Sequence, residues 1–434
     1  MILESLFNPA TVLLIGASAD ENKWGNWLAE QLSQHRDTRK IYFVGTKAQD
    51  LYGIDCVTAF EKITDSIDLA VVAVSTDILE SVVDQLLDLD IKNICIITAG
   101  LAEAGFIDIE SKIVEKIKDA GIRLIGPNCA GLWDSHSRLY CMPLGNFIPG
   151  PVGIISQSGG VIADVADRLK EKGIGISRAI SIGNNSISSI EHLVKSLEED
   201  PNTEIIAVYI EDEPVIPYDL LNTCSKPVAL LCPLSSPTTA VAAAKHTNSK
   251  VRYVFNCTYS IRDFVDKIEI GLSRQRAFDR RVQIVTDSGG MGVLTASACE
   301  YKGLLINPLT PILDTKLRET LDGHKLVSFG NPLDLVNVPN GFTDSLEAVV
   351  KTLQSSRDID AIIVVLSILG SLEQDSYDIG QQIAQHIRQG KKPTVFVTQC
   401  LTSLGIKALL DNKITVVKDI ESAVNQLDMI CSAR

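Results

Sequence analysis

One histidine in this chain stands apart from the rest. Of the six histidines, His35, His136, His192, His324 and His386 lie in polar or helical surroundings that suit surface or structural roles. His246 follows a stretch rich in small residues, Thr238 to Lys245, and precedes Thr247-Asn248-Ser249, whose hydroxyls can hydrogen-bond an oxyanion. Upstream, the apolar run Ile205–Ile210 stops in Glu211-Asp212-Glu213. A carboxylate on one imidazole nitrogen fixes the tautomer and leaves the other nitrogen as a nucleophile. His246 and Glu211 are therefore the candidate catalytic pair.

Two further stretches are variants of one pattern, Val152-Gly-Ile-Ile-Ser-Gln-Ser-Gly-Gly160 and Val282-Gln-Ile-Val-Thr-Asp-Ser-Gly-Gly290. Each is a β-branched apolar run that ends in polar residues and a glycine pair, then continues into a helix. A strand, a tight turn and a helix start leave several free N–H groups around one point, at the positive end of a helix dipole. Phosphate is the usual occupant of such a place. The candidate phosphate-binding residues are Ser156, Ser158, Gly159 and Gly160 in the first loop, and Ser288, Gly289 and Gly290 in the second. Two such helix ends suit a single highly charged group. With His246 and Glu211 they make a phosphoryl-transfer constellation in which His246 is transiently phosphorylated, chemistry that depends mainly on positioning and charge stabilisation.

The first third of the chain offers a nucleotide site. Thr11–Ile15 runs into Gly16-Ala17-Ser18, and Gly25 follows before a helix. In a doubly wound domain the first βα turn is where a nucleotide phosphate binds. The GxGxxG fingerprint is missing. The second strand ends in Val44-Gly45-Thr46-Lys47, with no acid for a ribose hydroxyl. Lys47 suits a phosphorylated ribose, so coenzyme A or NADP fits better than NAD. Later strand ends supply Ser75-Thr76, Thr98-Ala99-Gly100 and Gly126-Pro127-Asn128-Cys129, all at the edge where ligands bind. The candidate cofactor contacts are Gly16, Ala17, Ser18, Gly25, Lys47, Ser75, Thr98, Gly100, Asn128 and Cys129.

These residues need a scaffold, and the apolar rhythm supplies it. Strand and helix patterns alternate along the 434 residues, which predicts an α/β protein of three consecutive doubly wound units. The expected domains are 1–145, 150–275 and 281–434, divided by Gly145 to Pro151 and by the polar linker Ser273 to Arg281. A hydrophobic content of 45% with few aromatics suits parallel sheets buried on both faces. The net charge of −14 argues against a nucleic-acid partner. Ten cysteines are scattered without CxxC or Cys/His spacing, so no metal site is expected and the thiols read as small hydrophobes in a reducing compartment. The N-terminal residues lack a signal-peptide pattern, and no apolar run reaches the roughly 18 residues of a membrane span. The expectation is a cytoplasmic protein.

Taken in order, Leu6-Phe-Asn-Pro9, Ile15-Gly-Ala-Ser18, Gly126-Pro-Asn-Cys129, Ile155-Ser-Gln-Ser-Gly159, Gly183-Asn184, Tyr209-Ile-Glu211, Ala244-Lys-His-Thr247 and Asn331-Pro-Leu-Asp334 resemble the α subunit of NDP-forming acyl-CoA synthetases, the relatives of succinyl-CoA synthetase. The resemblance implies a Rossmann-like CoA-binding domain followed by two flavodoxin-like domains. It implies that an NTP phosphorylates the histidine, that the phosphate passes to a small carboxylic acid, and that coenzyme A then takes the acyl group. Gly16, Ser18 and Lys47 would contact coenzyme A, and Asn128 and Cys129 would lie near its thiol. Ser156, Ser158, Gly159 and Gly160 would hold the phosphate with Ser288 and Gly289, and Glu211 would orient His246. The chain has no Gly-x-x-x-x-Gly-Lys-Ser/Thr loop and nothing like ATP-grasp lobes. ATP and Mg²⁺ would then come only through an ATP-grasp β subunit, in a hetero-oligomer or dimer.

Departures from the family pattern gather around the histidine. Cys232-Pro-Leu-Ser235 replaces a Lys-Ser-Gly-Arg segment, Asn248 and Lys250 follow the histidine where glycine and small residues are usual, and Asp287 and Met291 replace Asn and Pro. They leave open two alternatives on the same scaffold: a CoA- or acyl-CoA-binding protein without ligase chemistry, and a CoA-dependent transfer enzyme.

Overall fold

The computed structural model describes residues 4–144, 147–184, 190–211, 224–232, 258, 260–273, 280–322, 327–336, 342–366, 377–401 and 403–432. His246 and its neighbours Lys245 and Lys250 lie outside them, as do Asp212 and Glu213. The chain divides into two compact units, Met1–Ile268 and Glu269–Arg434.

The first unit carries two sheets. Strands β1 (Thr11–Ile15), β2 (Lys40–Val44), β3 (Gln49–Leu51), β4 (Ile54–Val57), β5 (Leu69–Val72), β6 (Asn93–Ile96) and β7 (Arg123–Ile125) form a seven-stranded sheet in the order β3-β4-β2-β1-β5-β6-β7. Every pair is parallel except the β3–β4 hairpin. All residues of β5 and β6 are buried, as strands covered by helices on both faces must be. The strand order reverses at β1, which pairs with β2 on one side and β5 on the other. Such a reversal opens the crevice where ligands sit. The helix Trp24–Ser33 buries Leu28, Ala29 and Leu32 beside this point. It can start there only because residue 25 is glycine: a Cβ would overlap the Gly16 carbonyl oxygen.

The second sheet contains β8 (Leu132–Asp134), β9 (Leu139–Cys141), β10 (Pro149–Ser156), β11 (Ile176–Ser181), β12 (Ile205–Tyr209) and β13 (Val228–Leu231), in the order β13-β12-β10-β11-β8-β9. Four strands are parallel, and the β8–β9 hairpin adds to β11 in antiparallel fashion. Residues 132–141 fall within the range expected for the first domain, yet they extend the second sheet. One core also runs through both sheets, joining Val12, Leu14 and Leu28 to Ile155, Ile180 and Val208. Here the order reverses at β10, between β11 and β12.

Strand β11 escapes a reading by apolar runs because Ser177, Arg178 and Ser181 interrupt it, although all six residues are buried. Its polar side chains are matched individually. Arg178 Nε donates to the fully buried Asp134 at 2.5 Å, with Asp200 at 3.7 Å, and the guanidinium lies 4.6 Å over the Phe7 ring. The Ser177 and Thr203 hydroxyls meet at 2.6 Å.

The second unit is a five-stranded parallel sheet of β14 (Val282–Thr286), β15 (Leu333–Asp334), β16 (Ala361–Val365), β17 (Thr394–Val397) and β18 (Thr415–Val417), ordered β15-β14-β16-β17-β18. This is the flavodoxin-like order, with an apolar core on each face. Among the described residues no helix is long and apolar enough to cross a membrane. Cys56, Cys95, Cys129, Cys141 and Cys299 are buried free thiols, and burial pushes the Cys141 and Cys299 thiols up to about 12. Cys232 is disulfide-bonded.

Asp134→Ala should leave the Arg178 guanidinium buried with only the longer Asp200 contact, and cost about 3 kcal/mol of stability. Urea denaturation of the two proteins checks this; a difference below about 1 kcal/mol, the range of an exposed pair, would contradict it.

Candidate functional site

Strand β10 ends in a turn closed by its own hydroxyl. Ser156 Oγ donates to the Ser158 carbonyl oxygen at 2.7 Å and accepts the Ser158 N–H at 3.1 Å. Ser158 then caps the helix Gly159–Glu171, its Oγ accepting from the Val161 N–H at 3.4 Å. The N–H groups of Gly159 and Gly160 open this helix without an acceptor among the described residues. Unsatisfied N–H groups at a helix start bind anions.

Glu211 belongs to the same place. Gln157 donates its N–H to the Tyr209 carbonyl oxygen at 3.1 Å, and its side-chain oxygen accepts the Glu211 N–H. The Tyr209 hydroxyl donates to Glu211 Oε1 at 3.3 Å. Burial, with the Glu211 carboxylate beside it, raises the Tyr209 phenol above its ordinary value. Gln157 thus seats Glu211 beside the glycine pair. Gln157 is not among the candidates that the sequence offers; its only signal there is a polar side chain between the two serines of the motif, and the structure buries it.

The segment Gly126–Gly131, which follows β7, lies directly against this helix start. A Cβ at Gly159 would lie 2.5 Å from the Ala130 Cβ and 2.8 Å from Leu144 Cδ1, so the approach requires glycine. The Ala130 N–H donates to Ser181 Oγ at 2.8 Å, and the Asn184 N–H donates to the Pro127 carbonyl oxygen at 3.0 Å. At Gly183, a Cβ would lie 2.5 Å from the Asn128 carbonyl oxygen. The ends of β7, β10 and β11 therefore meet along the Gly126–Gly131 segment.

The other candidates of the first sheet fall into two groups. Gly16, Ala17, Ser18 and Gly25 do meet at the β1 reversal. The Gly16 and Ala17 N–H groups are given to the Val44 carbonyl oxygen at 2.9 and 3.1 Å, and the Ser18 carbonyl oxygen accepts from Asn26 Nδ2 at 3.0 Å. The helix after them has no side-chain cap at Lys23; the Asn26 N–H turns back to the Lys23 carbonyl oxygen at 3.0 Å, and the Trp24 and Gly25 N–H groups have no acceptor among the described residues. Lys47 and Ser75 are exposed beyond the ends of β2 and β5. Thr98, Gly100 and Cys129 differ from expectation. The Thr98 hydroxyl donates to the Val74 carbonyl oxygen at 2.8 Å, and the Gly100 N–H goes to the Glu103 carboxylate. The Cys129 thiol is turned into the sheet, donating to the Ile96 carbonyl oxygen at 3.2 Å and lying 3.7 Å from Cys95 Sγ. These groups serve the sheet and its turns.

The second loop, within the second unit, repeats the first turn. Thr286 Oγ1 donates to the Ser288 carbonyl oxygen and accepts the Ser288 N–H, both at 3.0 Å. Its charge is different. Asp287 is buried where the first loop has Gln157, and Asp334 Oδ2 lies 3.0 Å from the position a Cβ on Gly289 would take. Ser288, Gly289 and Gly290 therefore open their helix beside two carboxylates. Among the described residues no group of three or more His, Cys, Asp or Glu is placed to hold a metal ion.

Comparisons with known proteins agree with this division of labour. Residues 10–133 match the family described as a CoA binding domain, and residues 149–253 match that of the succinyl-CoA ligase like flavodoxin domain. The ADP-forming acetate–CoA ligase of Methanocaldococcus jannaschii is 30% identical over 349 residues, which are 77% of this chain and 49% of that protein. The α subunit of ADP-forming acetate–CoA ligase I of Pyrococcus furiosus is 26% identical over 99% of this chain and 97% of that subunit. The chain thus spans about half the length of the first relative and nearly all of the second. The fold is that of a Ca. Korarchaeum cryptofilum dinucleotide forming acetyl-coenzyme A synthetase solved with phosphate and ADP, at a TM-score of 0.85, 24% identity, and coverage of 99% of this chain and 96% of that one.

Gly159→Ala should push the helix start off Ala130 and cost about 1–3 kcal/mol. Gly160→Ala, whose Cβ would meet only Ser158 Oγ at 3.7 Å, should change stability by less than about 1 kcal/mol. Equal urea midpoints for the two variants would refute this packing.

Proposed function

Because this chain belongs to the family of NDP-forming acyl-CoA synthetase α subunits, we propose that it works as one half of an ADP-forming acyl-CoA ligase, joining a small carboxylic acid to coenzyme A. The observation that carries the reading is the seating of the Gly126–Gly131 segment on the Gly159 helix start. A nucleotide-type crevice and an anion-binding helix end are thereby built into one body. A bare nucleotide-binding domain has no need of the second feature.

The proposed roles follow the geometry. Gly16, Ser18, the helix start behind Gly25, and Lys47 hold the nucleotide end of coenzyme A, with Asn128 at its thiol end. Ser156, Ser158 and the Gly159 and Gly160 N–H groups hold the phosphoryl group, by the charge stabilisation that preorganised donors provide. His246, outside the described residues, is its carrier, and Glu211 orients the imidazole. The phosphoryl group passes from His246 to the carboxylate of the acid, and phosphate leaves when the thiol takes the acyl group. Ser288, Gly289 and Gly290 are proposed as further phosphate-binding residues, at a helix start where the Asp334 carboxylate lies close to Gly289. ATP and Mg²⁺ are supplied by a partner chain of the ATP-grasp type, a reading supported by the relatives named as α subunits. The setting we propose is the cytoplasm.

Incubated with ATP, Mg²⁺ and its ATP-grasp partner, the wild-type chain should acquire acid-labile phosphate and His246→Ala should acquire none. Equal labelling of both would refute the mechanism. Lys47→Ala should weaken coenzyme A binding about tenfold, the scale of one charge-assisted contact, while binding of dephospho-coenzyme A barely changes. Equal losses for both ligands in calorimetry would remove Lys47 from the ribose phosphate.

A further inference from the structure

Where the two sheets of the first unit meet, two carboxylates share one amide. Asn184 Nδ2 donates to Glu110 Oε2 at 2.8 Å and to Glu103 Oε2 at 3.1 Å. Its Oδ1 accepts from Asn128 Nδ2 at 3.2 Å. Ionised carboxylates only accept and an amide nitrogen only donates, so just one orientation of the Asn184 amide satisfies all three contacts. That orientation dictates the next one. The Asn128 nitrogen must face Asn184, which leaves the Asn128 side-chain oxygen as an acceptor with no partner among the described residues.

The two carboxylates are themselves well held. Glu103 sits in the short turn Ala102–Ala104 and also accepts the Gly100 N–H. Glu110 is buried in the first turn of the helix Ile107–Asp119 and accepts the Ala102 N–H at 3.0 Å. Burial works to raise the Glu103 carboxyl, but the Gly100 N–H, its own N–H and the Asn184 amide outweigh it and hold it below its ordinary value. No ligand is needed to explain these donors. What they accomplish is to carry orientation from the first sheet, through a residue of the second, back to the Asn128 turn.

We propose that Glu103 and Glu110 are positioning residues that act through Asn184 to aim the Asn128 side-chain oxygen at a hydrogen-bond donor on the thiol end of coenzyme A. This rests on the coenzyme A reading above. Two donors occur at that end of the ligand, the thiol itself and the adjacent amide N–H, and desulfo-coenzyme A, which lacks the thiol, separates them.

Calorimetric titration with coenzyme A and desulfo-coenzyme A tests the relay without relying on turnover. Glu110→Ala should weaken coenzyme A binding about tenfold, the cost of one misdirected hydrogen bond. Glu110→Gln, which keeps an accepting oxygen, should recover to within about threefold of wild type. Asn184→Ala should reproduce the Glu110→Ala loss, and serves in its place if Glu110→Ala does not fold. In the double variant Glu110→Ala/Asn128→Ala, binding should be no weaker than in Asn128→Ala alone, since residues that act through one another are not additive. If the thiol is the donor, the wild-type preference for coenzyme A over desulfo-coenzyme A should vanish in Asn128→Ala; if the amide is the donor, both ligands should lose affinity equally. A wild type that binds coenzyme A alongside a Glu110→Ala or Asn184→Ala variant that binds equally well overturns the relay alone. Losses that multiply in the double variant do so too. A wild type that binds neither ligand overturns the coenzyme A reading, and the relay with it.

Discussion

The close approach of the Gly159 helix start to Ala130 is the constraint on which the first unit depends. Each of the two sheets has its own reversal of strand order, and each reversal makes a crevice at the carboxyl ends of its strands. Two separate crevices make two separate binding sites. The two come together where the Gly159 helix start meets Ala130, and a single methyl group at residue 159 would sit 2.5 Å from the Ala130 Cβ. Gly183 repeats the requirement on the other side of the same segment, against the Asn128 carbonyl oxygen. The continuous core beneath, which draws side chains from both sheets, holds the approach in place. Close-packed interiors deform little, so a gap opened here would be transmitted rather than absorbed.

Local geometry and local charge separate in the two glycine-pair loops. A hydroxyl that both donates to and accepts from the residue two positions on closes each turn, Ser156 in one and Thr286 in the other. The backbone of the middle residue bonds to the neighbouring strand in both. That middle residue is Gln157 in the first loop and Asp287 in the second. A helix start carries about half a positive charge. One full carboxylate outweighs it, and the second loop has Asp334 near Gly289 as well as Asp287. The two loops therefore share one backbone turn and differ in the side chain at its middle position.

Much of the scaffold was legible because buried parallel strands are written as apolar runs, and β1, β5, β12 and β13 fall where such runs occur. The strands that were not legible break that rule for identifiable reasons. Strand β11 buries Ser177 and Arg178 in matched polar pairs, β3 and β4 form a short edge hairpin, and β15 is only two residues long. The hairpin at 132–141 precedes the Gly145–Pro151 boundary and so falls within the expected first domain, whereas its pairing partner is β11, more than 40 residues on. The site shows the same division. Positions at strand ends were readable, and Ser156 and Glu211 do lie at the ends of β10 and β12. Cys129 and Thr98 were readable as residue types at the right edge, but the direction of a side chain depends on neighbours such as Ile96 and Val74 that no spacing reveals. His246 rests on sequence alone.

Asn184 shows why the junction is specific as well as close. Two carboxylates in a partly buried place, with no cation bonded to the pair among the described residues, would ordinarily repel each other and take up protons. Here each is met by a backbone N–H, from Gly100 or Ala102, and by one hydrogen of the same amide. Around Asn184 the matching is complete enough to be rigid, because rotating its amide leaves the carboxylates unpaired at a cost of about 1–3 kcal/mol. Apolar packing at Gly159 sets how near the two sheets come, yet it is indifferent to which atom of Asn128 is presented. The amide relay supplies that distinction between oxygen and nitrogen, and directional donors and acceptors set before a ligand arrives need no rearrangement when it does.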